Sequence, residues 1–280
     1  MPNMSAISSR LRPPEFQAGT VWLVGAGPGD PGLLTLHALH ALTEADVVLH
    51  DALVSSDILA LAETARLEAV GKRAGGMRTH QLRINQRLIA LARQGLRVVR
   101  LKGGDPLVFG RGGEEALALA AAGIAFRVVP GISAGVGGTA AAGIPLTHRT
   151  LARSIAFATG HDGRGKLPDT LDMAGLGQAD VLVFYMGLRH AGAIATRLML
   201  AGRAADEAVA FVAGATTAQQ SVTLATLGTA AVTAALLPRH LPTLIVIGPV
   251  VTLRALLLPW QQAAPMTVDV ETIAVTGASR

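Results

Sequence analysis

The sequence predicts an α/β protein built from two α/β domains. Three observations support this fold class: strand-length hydrophobic runs alternate with amphipathic helical stretches, many of the runs end in glycine turns, and one small-residue segment interrupts the series. The chain has 280 residues, which is enough for two medium domains with sizeable cores. We expect an N-terminal tail over 1–19, domains over 20–132 and 133–262, and a C-terminal tail over 263–280.

The first half contains five strand-like runs separated by helical patterns. Continuous Val/Leu/Ile runs predict strands, and apolar residues at helical spacing predict helices. The expected strands are 20–26, ADVVLHD, ARLEAVGKR, LRVVRLKGGD and IAFRVVPG, and the expected helices are 33–44, SSDILALAE, HQLRINQRLIALARQG and GGEEALALAAAG. This alternation predicts a mostly parallel sheet, because parallel strands need helical crossovers between them.

A second α/β series follows the segment 131–149. That segment is rich in glycine and alanine and has no clean period, which predicts a small-residue helix and a linker. The expected strands are then SIAFATGH, ADVLVFYMG, AVAFVAG, QSVTLATL and PTLIVIGPVV, with helices near 189–201 and 228–237. The change of pattern predicts the domain boundary.

Composition excludes several classes of function. The chain has no cysteine, which removes disulfides, thiolate metal sites and cysteine nucleophiles. The formal net charge is +5, and arginines far outnumber lysines. This excess indicates either an acidic ligand or a general amino-acid bias of the source organism. The arginines are scattered and aromatic residues make up only 3%, so we expect no nucleic-acid partner.

No stretch predicts a membrane segment. The most apolar one, 116–146, is interrupted by Arg127, Pro130 and several glycines, so it offers no clean run of about 18 residues. Residues 1–19 hold no apolar core of signal-peptide length. We therefore expect a cytoplasmic protein with no membrane partner.

The turn after the first strand has features of a dinucleotide site. The dinucleotide fingerprint requires glycine at three positions, and the stretch GAGPGD places Asp30 at the third. Pro28 lacks an N–H to offer a pyrophosphate, and Asp30 would repel one. A nicotinamide or flavin enzyme is a weak alternative at this point.

Further glycine turns favour a broader cleft than a phosphate cradle. LKGGDPLVFGRGGEE and VVPGISAG each take a strand into a glycine turn, and VLVFYMG ends another strand. Ligands of open α/β sheets bind beyond the carboxyl ends of strands. Several such turns side by side predict a site for a large ligand.

Six stretches resemble the tetrapyrrole methylase family: VGAGPGDPGLLTL, DALVS, VGKR, RLKGGDPLVFGRGGEE, VVPGISA and AGIPLTHR. They occur in that family's order and spacing, and the resemblance covers about residues 20–250. It implies two α/β domains that bind S-adenosylmethionine (SAM) and a tetrapyrrole in the cleft between them. It also implies a homodimer, with S-adenosylhomocysteine (SAH) as the product of the methyl donor.

The resemblance assigns roles residue by residue. The implied SAM contacts are Pro28, Gly103, Gly104, Asp105, Val108, Ser133, Ala134, Met186 and Gly214. The implied proton-handling residues are Asp51 and Lys72, and our candidates for binding substrate carboxylates are Arg73, Arg111 and Arg149. Structural alternatives exist: Met186 as a core residue, Ser133 as a helix cap, Asp51 as a turn residue and Lys72 as a surface lysine.

The resemblance implies C-methylation of uroporphyrinogen III at two pyrrole carbons, on rings A and B. The product would be precorrin-2, for cobalamin or siroheme synthesis, and we expect no dehydrogenase and chelatase module in this chain. Methyl transfer is an in-line displacement that needs alignment but no metal. The alternatives are a methylase of a later corrin intermediate, a nicotinamide-dependent oxidoreductase, and a non-catalytic carrier of porphyrin-like acids.

Two positions depart from the family pattern. Leu107 stands where an aromatic residue usually follows GGDP, and Ser133 stands where threonine is common. The histidines of THR and TGHD lack metal-site spacing, so we interpret them as loop or substrate-contact residues. These departures bear on the shape of the pocket rather than on the class of reaction.

Overall fold

The computed structural model describes residues 13–70, 77–162 and 165–261. These residues form two five-stranded sheets, one from each half of the chain. The prediction of two α/β halves is therefore confirmed, while the tails expected at 1–19 and 263–280 lie largely outside the described residues.

The first sheet is parallel throughout, as predicted. Its strands are β1 (Val21–Gly25), β2 (Val47–His50), β3 (Arg66–Ala69), β4 (Val98–Lys102) and β5 (Phe126–Val129). They lie in the order β3-β2-β4-β1-β5, so β4 and β1 are central. Both central strands are buried along their whole length, because helices cover both faces of the sheet.

Four helices cover this sheet: α1 (Leu36–Glu44), α2 (Ser56–Leu59), α3 (Met77–Arg93) and α4 (Gly112–Ala121). Helix α1 begins at Leu36 rather than at 33, because the Thr35 hydroxyl caps it by accepting from the Ala38 N–H at 3.1 Å. A 3-10 turn over Pro31–Leu33 precedes it and is capped by Asp30. The glycine turn is therefore not followed directly by the N-terminus of an α-helix.

The second sheet is mixed, unlike the first. Its strands are β6 (Ile155–Thr159), β7 (Val181–Tyr185), β8 (Ala208–Ala213), β9 (Ser221–Thr226) and β10 (Thr243–Ile247), in the order β6-β7-β10-β8-β9. Only the β6–β7 pair is parallel; the other three pairs are antiparallel. The chain between β8 and β9 is too short for a helical crossover, so these two strands form a hairpin.

The second half also contains five α-helices among the described residues: α5 (Ala134–Ala141), α6 (Met173–Leu176), α7 (Ala191–Leu200), α8 (Ala230–Ala235) and α9 (Arg254–Gln261). The sequence analysis did not predict α6 or α9. Helix α5 is the predicted small-residue helix. It packs against β10, where a Cβ on Gly138 would lie 3.3 Å from the Leu244 Cδ1.

Each sheet has an apolar core on both faces. In the second half, one face packs Phe184 and Phe211 against α7 and α8. Each such aromatic side chain contributes about 1.5–3 kcal/mol when fully buried. In the part of the chain that the structure describes, no helix has both the length and the apolar character needed to cross a bilayer.

Candidate active site

Turns at the carboxyl ends of five strands converge on one region, which we call the turn cluster. It comprises residues 25–30 after β1, 102–111 after β4, 130–135 after β5, 185–187 after β7 and 214–217 after β8. Gly27 and Gly104 join the first two turns: each backbone N–H donates to the other's carbonyl, at 3.2 and 2.7 Å. This is the edge at which an α/β sheet binds its ligands.

Three glycines allow these turns to approach backbone to backbone. A Cβ on Gly25 would lie 2.5 Å from the Gly131 nitrogen, and a Cβ on Gly131 would lie 2.2 Å from the Gly104 oxygen. No other residue fits at either position without moving a strand. The glycine pattern of the sequence therefore has a packing cause here.

The Asp105 carboxylate links the turn after β4 to the turn after β5. Its Oδ1 accepts from the Leu107 N–H at 2.8 Å, and its Oδ2 accepts from the Gly131 N–H at 3.1 Å. Carboxylate oxygens accept more than one hydrogen bond each, so both retain capacity for a ligand donor. The residue is well placed for the SAM contact that the sequence predicts, and it also has a structural function.

Tyr185 joins the second sheet to the start of α5. Its hydroxyl lies 2.6 Å from the Ser133 hydroxyl and accepts from the Gly135 N–H at 2.9 Å. Ser133 occupies the N-cap position of α5, but its side chain makes no capping hydrogen bond. The capping alternative for Ser133 is therefore wrong in this structure. Burial raises the pKa of the Tyr185 hydroxyl above its ordinary value.

Strained backbone is concentrated in the turn cluster. Among the described non-glycine residues, only Phe109, Arg111, Met186 and Thr216 have positive φ, and all four lie in or at the edge of this region. Met186 is 44% exposed, which excludes the alternative that it is a core residue. The Phe109 ring lies 4.9 Å from the Tyr185 ring, so these residues give the cluster an apolar surface.

The turn after β1 also contacts the second half directly. The Asp30 N–H donates to the Thr216 hydroxyl at 3.1 Å, and Pro28 packs against α5 where a Cβ on Gly137 would lie 3.0 Å from its ring. Gly214, with φ of 56°, begins the turn that carries Thr216. Contacts therefore bring the turns carrying all nine predicted SAM residues into one cluster.

Asp51 lies beside this cluster, at the end of β2. Its N–H donates to the Leu101 carbonyl at 3.3 Å, two residues before the glycine pair 103–104. The Arg100 guanidinium donates to Asp51 Oδ1 at 2.5 Å, and the Lys102 Nζ lies 3.7 Å from Oδ2. The Asp51 side chain remains 32% exposed. Arg100 and Lys102 therefore lie on one side of its carboxylate, and the other side is accessible to solvent.

A buried charge cluster behind Asp51 was missed in the sequence analysis. Arg100 and Lys102 lie on one face of β4, and both donate to Oε1 of the fully buried Glu115 of α4, at 3.0 and 3.1 Å. Gln81 of α3 donates to the same oxygen at 3.0 Å. Two charges on one strand were the signal in the sequence, but they indicate buried partners only once the strand is known to be central and covered on both faces.

The remaining predicted residues are Lys72, Arg73, Arg111 and Arg149. Lys72 and Arg73 lie outside the described residues. Arg111 makes a two-pronged ion pair with Glu114, at 2.6 and 2.9 Å, which raises the pKa of Arg111 and lowers that of Glu114. Arg149 is exposed on the link between α5 and β6, and no contact among the described residues ties it to the turn cluster. Their substrate roles stay predictions.

The described residues contain no group of three or more His, Asp or Glu side chains arranged for a metal ion. The turn cluster instead combines exposed apolar side chains with closely packed backbone turns, and the partly exposed Asp51 carboxylate lies beside it. This combination, set between two α/β halves, is typical of α/β proteins that bind an organic ligand beyond the carboxyl ends of their strands.

Comparison with known proteins is consistent with this class. Residues 20–231 match the family of tetrapyrrole (corrin/porphyrin) methylases. A uroporphyrinogen-III C-methyltransferase of Sinorhizobium sp is 53% identical over 246 residues, covering 87% of this chain and 88% of that protein. A siroheme synthase of Pseudomonas fluorescens is 50% identical over 90% of this chain, which spans only 54% of that longer protein.

A solved structure shows the same fold with a ligand. The uroporphyrin-III C-methyltransferase of Thermus thermophilus, complexed with S-adenosylhomocysteine, superposes with a TM-score of 0.74 at 41% identity. The match covers 84% of this chain and 99% of that one. This chain belongs to the tetrapyrrole methylase family, so the resemblance seen in the sequence is confirmed, and the nicotinamide alternative is not favoured.

Proposed function

We propose that this protein is an enzyme that C-methylates uroporphyrinogen III at two pyrrole carbons, using SAM and giving precorrin-2 and SAH. The 53% identity to a uroporphyrinogen-III C-methyltransferase over most of both chains carries this proposal. The SAH complex of the Thermus enzyme supports SAM as the methyl donor. The product would enter siroheme or cobalamin synthesis.

The turn cluster fits a ligand with the mixed chemistry of SAM. Its exposed Met186 side chain suits a purine ring, while the Asp105 carboxylate and Ser133 hydroxyl suit polar groups such as the ribose and the amino acid part. Of the other predicted contacts, Gly103, Gly104, Val108 and Ala134 belong to the same turns as Asp105 and Ser133, and Pro28 and Gly214 belong to two other turns of the cluster. When bound, SAM supplies a methyl group on a positively charged sulfur.

We assign Asp51 the proton-handling role. Methylation of a pyrrole carbon leaves positive charge in the macrocycle, and losing a proton relieves it. The Asp51 carboxylate forms an ion pair with buried Arg100 and remains partly exposed to solvent. A carboxylate in this position can stabilise the positive charge and accept the proton. Lys72 is the second residue assigned to proton handling, and Arg73, Arg111 and Arg149 are assigned to the substrate carboxylates.

The decisive test of Asp51 separates binding from chemistry. We expect Asp51→Asn to lower methyl transfer from labelled SAM by about 10²–10⁴-fold under anaerobic conditions. Calorimetric affinity for SAH should stay within about twofold, because Asp51 is not among the assigned SAM contacts. Exposed Asp57 provides the matched control, and Asp57→Asn should keep full activity. Full activity in Asp51→Asn would remove that residue from the mechanism.

We also propose a homodimer, as the family resemblance implies. An apolar groove of about 600 Å³ between α5 and α9 supports it, with Val136 47% and Leu257 45% exposed on its walls. A second copy of the chain is the occupant that we propose for this groove. Sedimentation equilibrium should give twice the mass of the 28.7 kDa chain, and Val136→Glu should give the single-chain mass. A single-chain mass for the wild type would refute the dimer.

Two further expectations from the sequence remain proposals. We propose that the domain boundary lies at 132–133, a choice supported by the packing of α5 on the second sheet. We also propose that the enzyme acts in the cytoplasm, which fractionation of cells that express it would test.

A further inference from the structure

Three aromatic side chains meet where the two halves of the chain come together. Phe109 lies on the turn after β4, whereas Phe157 and Tyr185 lie on β6 and β7 of the second sheet. The centroid of the Tyr185 ring is 4.9 Å from that of Phe109 and 6.0 Å from that of Phe157. We call these three residues the aromatic triplet. The chain has six Phe, two Trp and one Tyr, so a third of its aromatic residues lie at this one place.

The aromatic triplet is not part of a buried core. Phe109 and Phe157 are each 39% exposed, although phenylalanine is among the residues most often fully buried. Met186, which follows Tyr185 in the chain, is also exposed. Exposed apolar side chains that are grouped beside polar turns are typical of ligand-binding surfaces.

Phe109 is held at this place by a strained turn. Its φ is 52°, in the left-handed region that bulky side chains rarely adopt. The Gly112 N–H closes the turn by donating to the Pro106 carbonyl at 2.9 Å, and a Cβ on Gly110 would lie 2.8 Å from the same oxygen. Strained residues persist where the surrounding structure fixes them, and they are concentrated at ligand sites.

Two contacts connect the aromatic triplet to the residues that we assign to SAM. The Tyr185 hydroxyl lies 2.6 Å from the Ser133 hydroxyl, and a Cβ on Gly135 would lie 3.0 Å from the Phe157 ring. Methyl transfer requires the acceptor carbon to approach the donor methyl in line, at about 3–3.5 Å. The acceptor ring therefore lies against a surface that adjoins the SAM residues, and the aromatic triplet is such a surface.

We propose that the aromatic triplet is the surface against which the reacting pyrrole ring of the substrate lies, with Phe109 and Phe157 in contact with the substrate. This inference rests on the proposed function, because that function supplies a tetrapyrrole as the occupant. A pyrrole ring is flat and electron-rich, and aromatic rings associate by offset stacking or edge to face. The triplet presents both faces and edges, since the Phe109 and Phe157 rings are tilted by 49° and 81° to the Tyr185 ring.

Leucine and tyrosine substitutions separate the aromatic ring from its volume. Phe109→Leu and Phe157→Leu keep an apolar side chain but remove the flat ring, whereas Phe109→Tyr and Phe157→Tyr keep the ring. Neither new residue is β-branched, so the strained backbone at position 109 is not restricted further. Phe126 is the matched control: it is also 39% exposed, but it begins β5, at the strand end opposite the turn cluster.

The direct readout is the affinity for uroporphyrinogen III, measured anaerobically by calorimetry on protein saturated with SAH. SAH has no methyl group to transfer, so the measurement needs no turnover. We expect each leucine variant at 109 and 157 to bind the tetrapyrrole about three- to tenfold more weakly, and each tyrosine variant to stay within about twofold of wild type. Phe126→Leu should bind it as wild type does. SAH affinity should stay within about twofold in all five variants.

Two results would overturn the inference. One is unchanged tetrapyrrole affinity in both Phe109→Leu and Phe157→Leu. The other is a loss of SAH affinity in these variants with tetrapyrrole affinity intact, which would assign the rings to the cofactor. Phe109 and Phe157 lie in different halves of the chain, so if one leucine variant folds poorly the other still provides the test. Failure of the proposed function is distinct, because the wild-type protein itself would then not bind uroporphyrinogen III.

Discussion

The Tyr185 hydroxyl lies 2.6 Å from the Ser133 hydroxyl, and the Gly135 N–H donates to it at 2.9 Å. One phenol at the end of β7 thereby joins the second sheet to the start of α5. Tyr185 was not identified in the sequence analysis, although it directly precedes the predicted Met186. This contact orients a side chain that we assign to SAM.

Removing this hydroxyl should weaken SAM binding. In Tyr185→Phe the ring contacts remain, but Ser133 loses the partner that orients it, and a hydrogen bond of this kind is worth about 0.5–1.5 kcal/mol. We expect SAH affinity to fall by about three- to tenfold in calorimetry.

A double-mutant cycle provides the control for this prediction. If Tyr185 acts through Ser133, the losses in Tyr185→Phe and Ser133→Ala should not add in the double variant. Additive losses would mean that the two hydroxyls act independently, and unchanged affinity in Tyr185→Phe would contradict the assignment.

Gly135 should not tolerate a side chain. A Cβ there would lie 2.2 Å from the Tyr185 hydroxyl oxygen, so Gly135→Ala should lower the free energy of unfolding by about 1–3 kcal/mol. Denaturant unfolding measures the change, and adding Tyr185→Phe should recover part of the loss.

Gly113 is the matched control for Gly135. It lies in the first turn of α4, where a Cβ would meet nothing within 4 Å. Gly113→Ala should therefore be neutral or stabilise the protein by up to about 1 kcal/mol. Equal destabilisation by both substitutions would show that the Tyr185 contact is not the cause.

Substitution of Asp105 should lower both the affinity for SAH and the stability of the fold. Asp105→Asn keeps one oxygen acceptor but replaces the other with a donor that faces a backbone N–H. We expect SAH affinity to fall at least about tenfold and the melting temperature to fall by several degrees. A variant with a lower melting temperature but normal SAH affinity would leave Asp105 a purely structural residue.

The Asp46–Arg97 pair should make stability depend on pH. Asp46 accepts from the Arg97 backbone N–H at 2.7 Å and from its guanidinium at 2.9 and 3.2 Å. The side-chain hydrogen bonds from Arg97 are the largest cause that lowers the pKa of Asp46 below its ordinary 3.8. A lowered acid pKa adds stability that is present above the unfolded pKa and disappears as pH falls through the folded pKa.

Asp46→Asn should therefore cost about 0.5–1 kcal/mol at pH 7, since both side chains are a third exposed and the pair is screened. The difference from wild type should shrink as the pH falls below 3.8. Asp169→Asn is the control, because that carboxylate is almost fully exposed in its pair with Arg197. A cost that does not change with pH would mean that packing, not charge, is responsible.

Sequence patterns predicted the buried strands best. The runs at β1 and β7 are apolar throughout and that at β10 is apolar after Thr243, and the structure places these strands at the expected positions. Pairing direction in the second sheet depends on contacts between distant strands, although the short link between β8 and β9 was a usable signal for a hairpin. The four residues of α6 are too few to show a helical period, and the proline inside α9 argues against a helix in that stretch.

The charge cluster behind Asp51 illustrates a different limit. Alternating charged residues in β4 resemble the solvent face of a strand, and only the position of β4 inside a covered sheet shows that Arg100 and Lys102 are buried. Their partner Glu115 lies on another element, and single-sequence periodicity does not pair residues across elements.

The central claim is the reaction itself, and one measurement tests it most directly. Purified protein is incubated anaerobically with uroporphyrinogen III and methyl-labelled SAM, and the tetrapyrrole is analysed by mass spectrometry. We predict a product that carries two labelled methyl groups on carbon. A tetrapyrrole that gains no methyl group, from protein that still binds SAH, would contradict the proposed substrate and leave only the family and the fold.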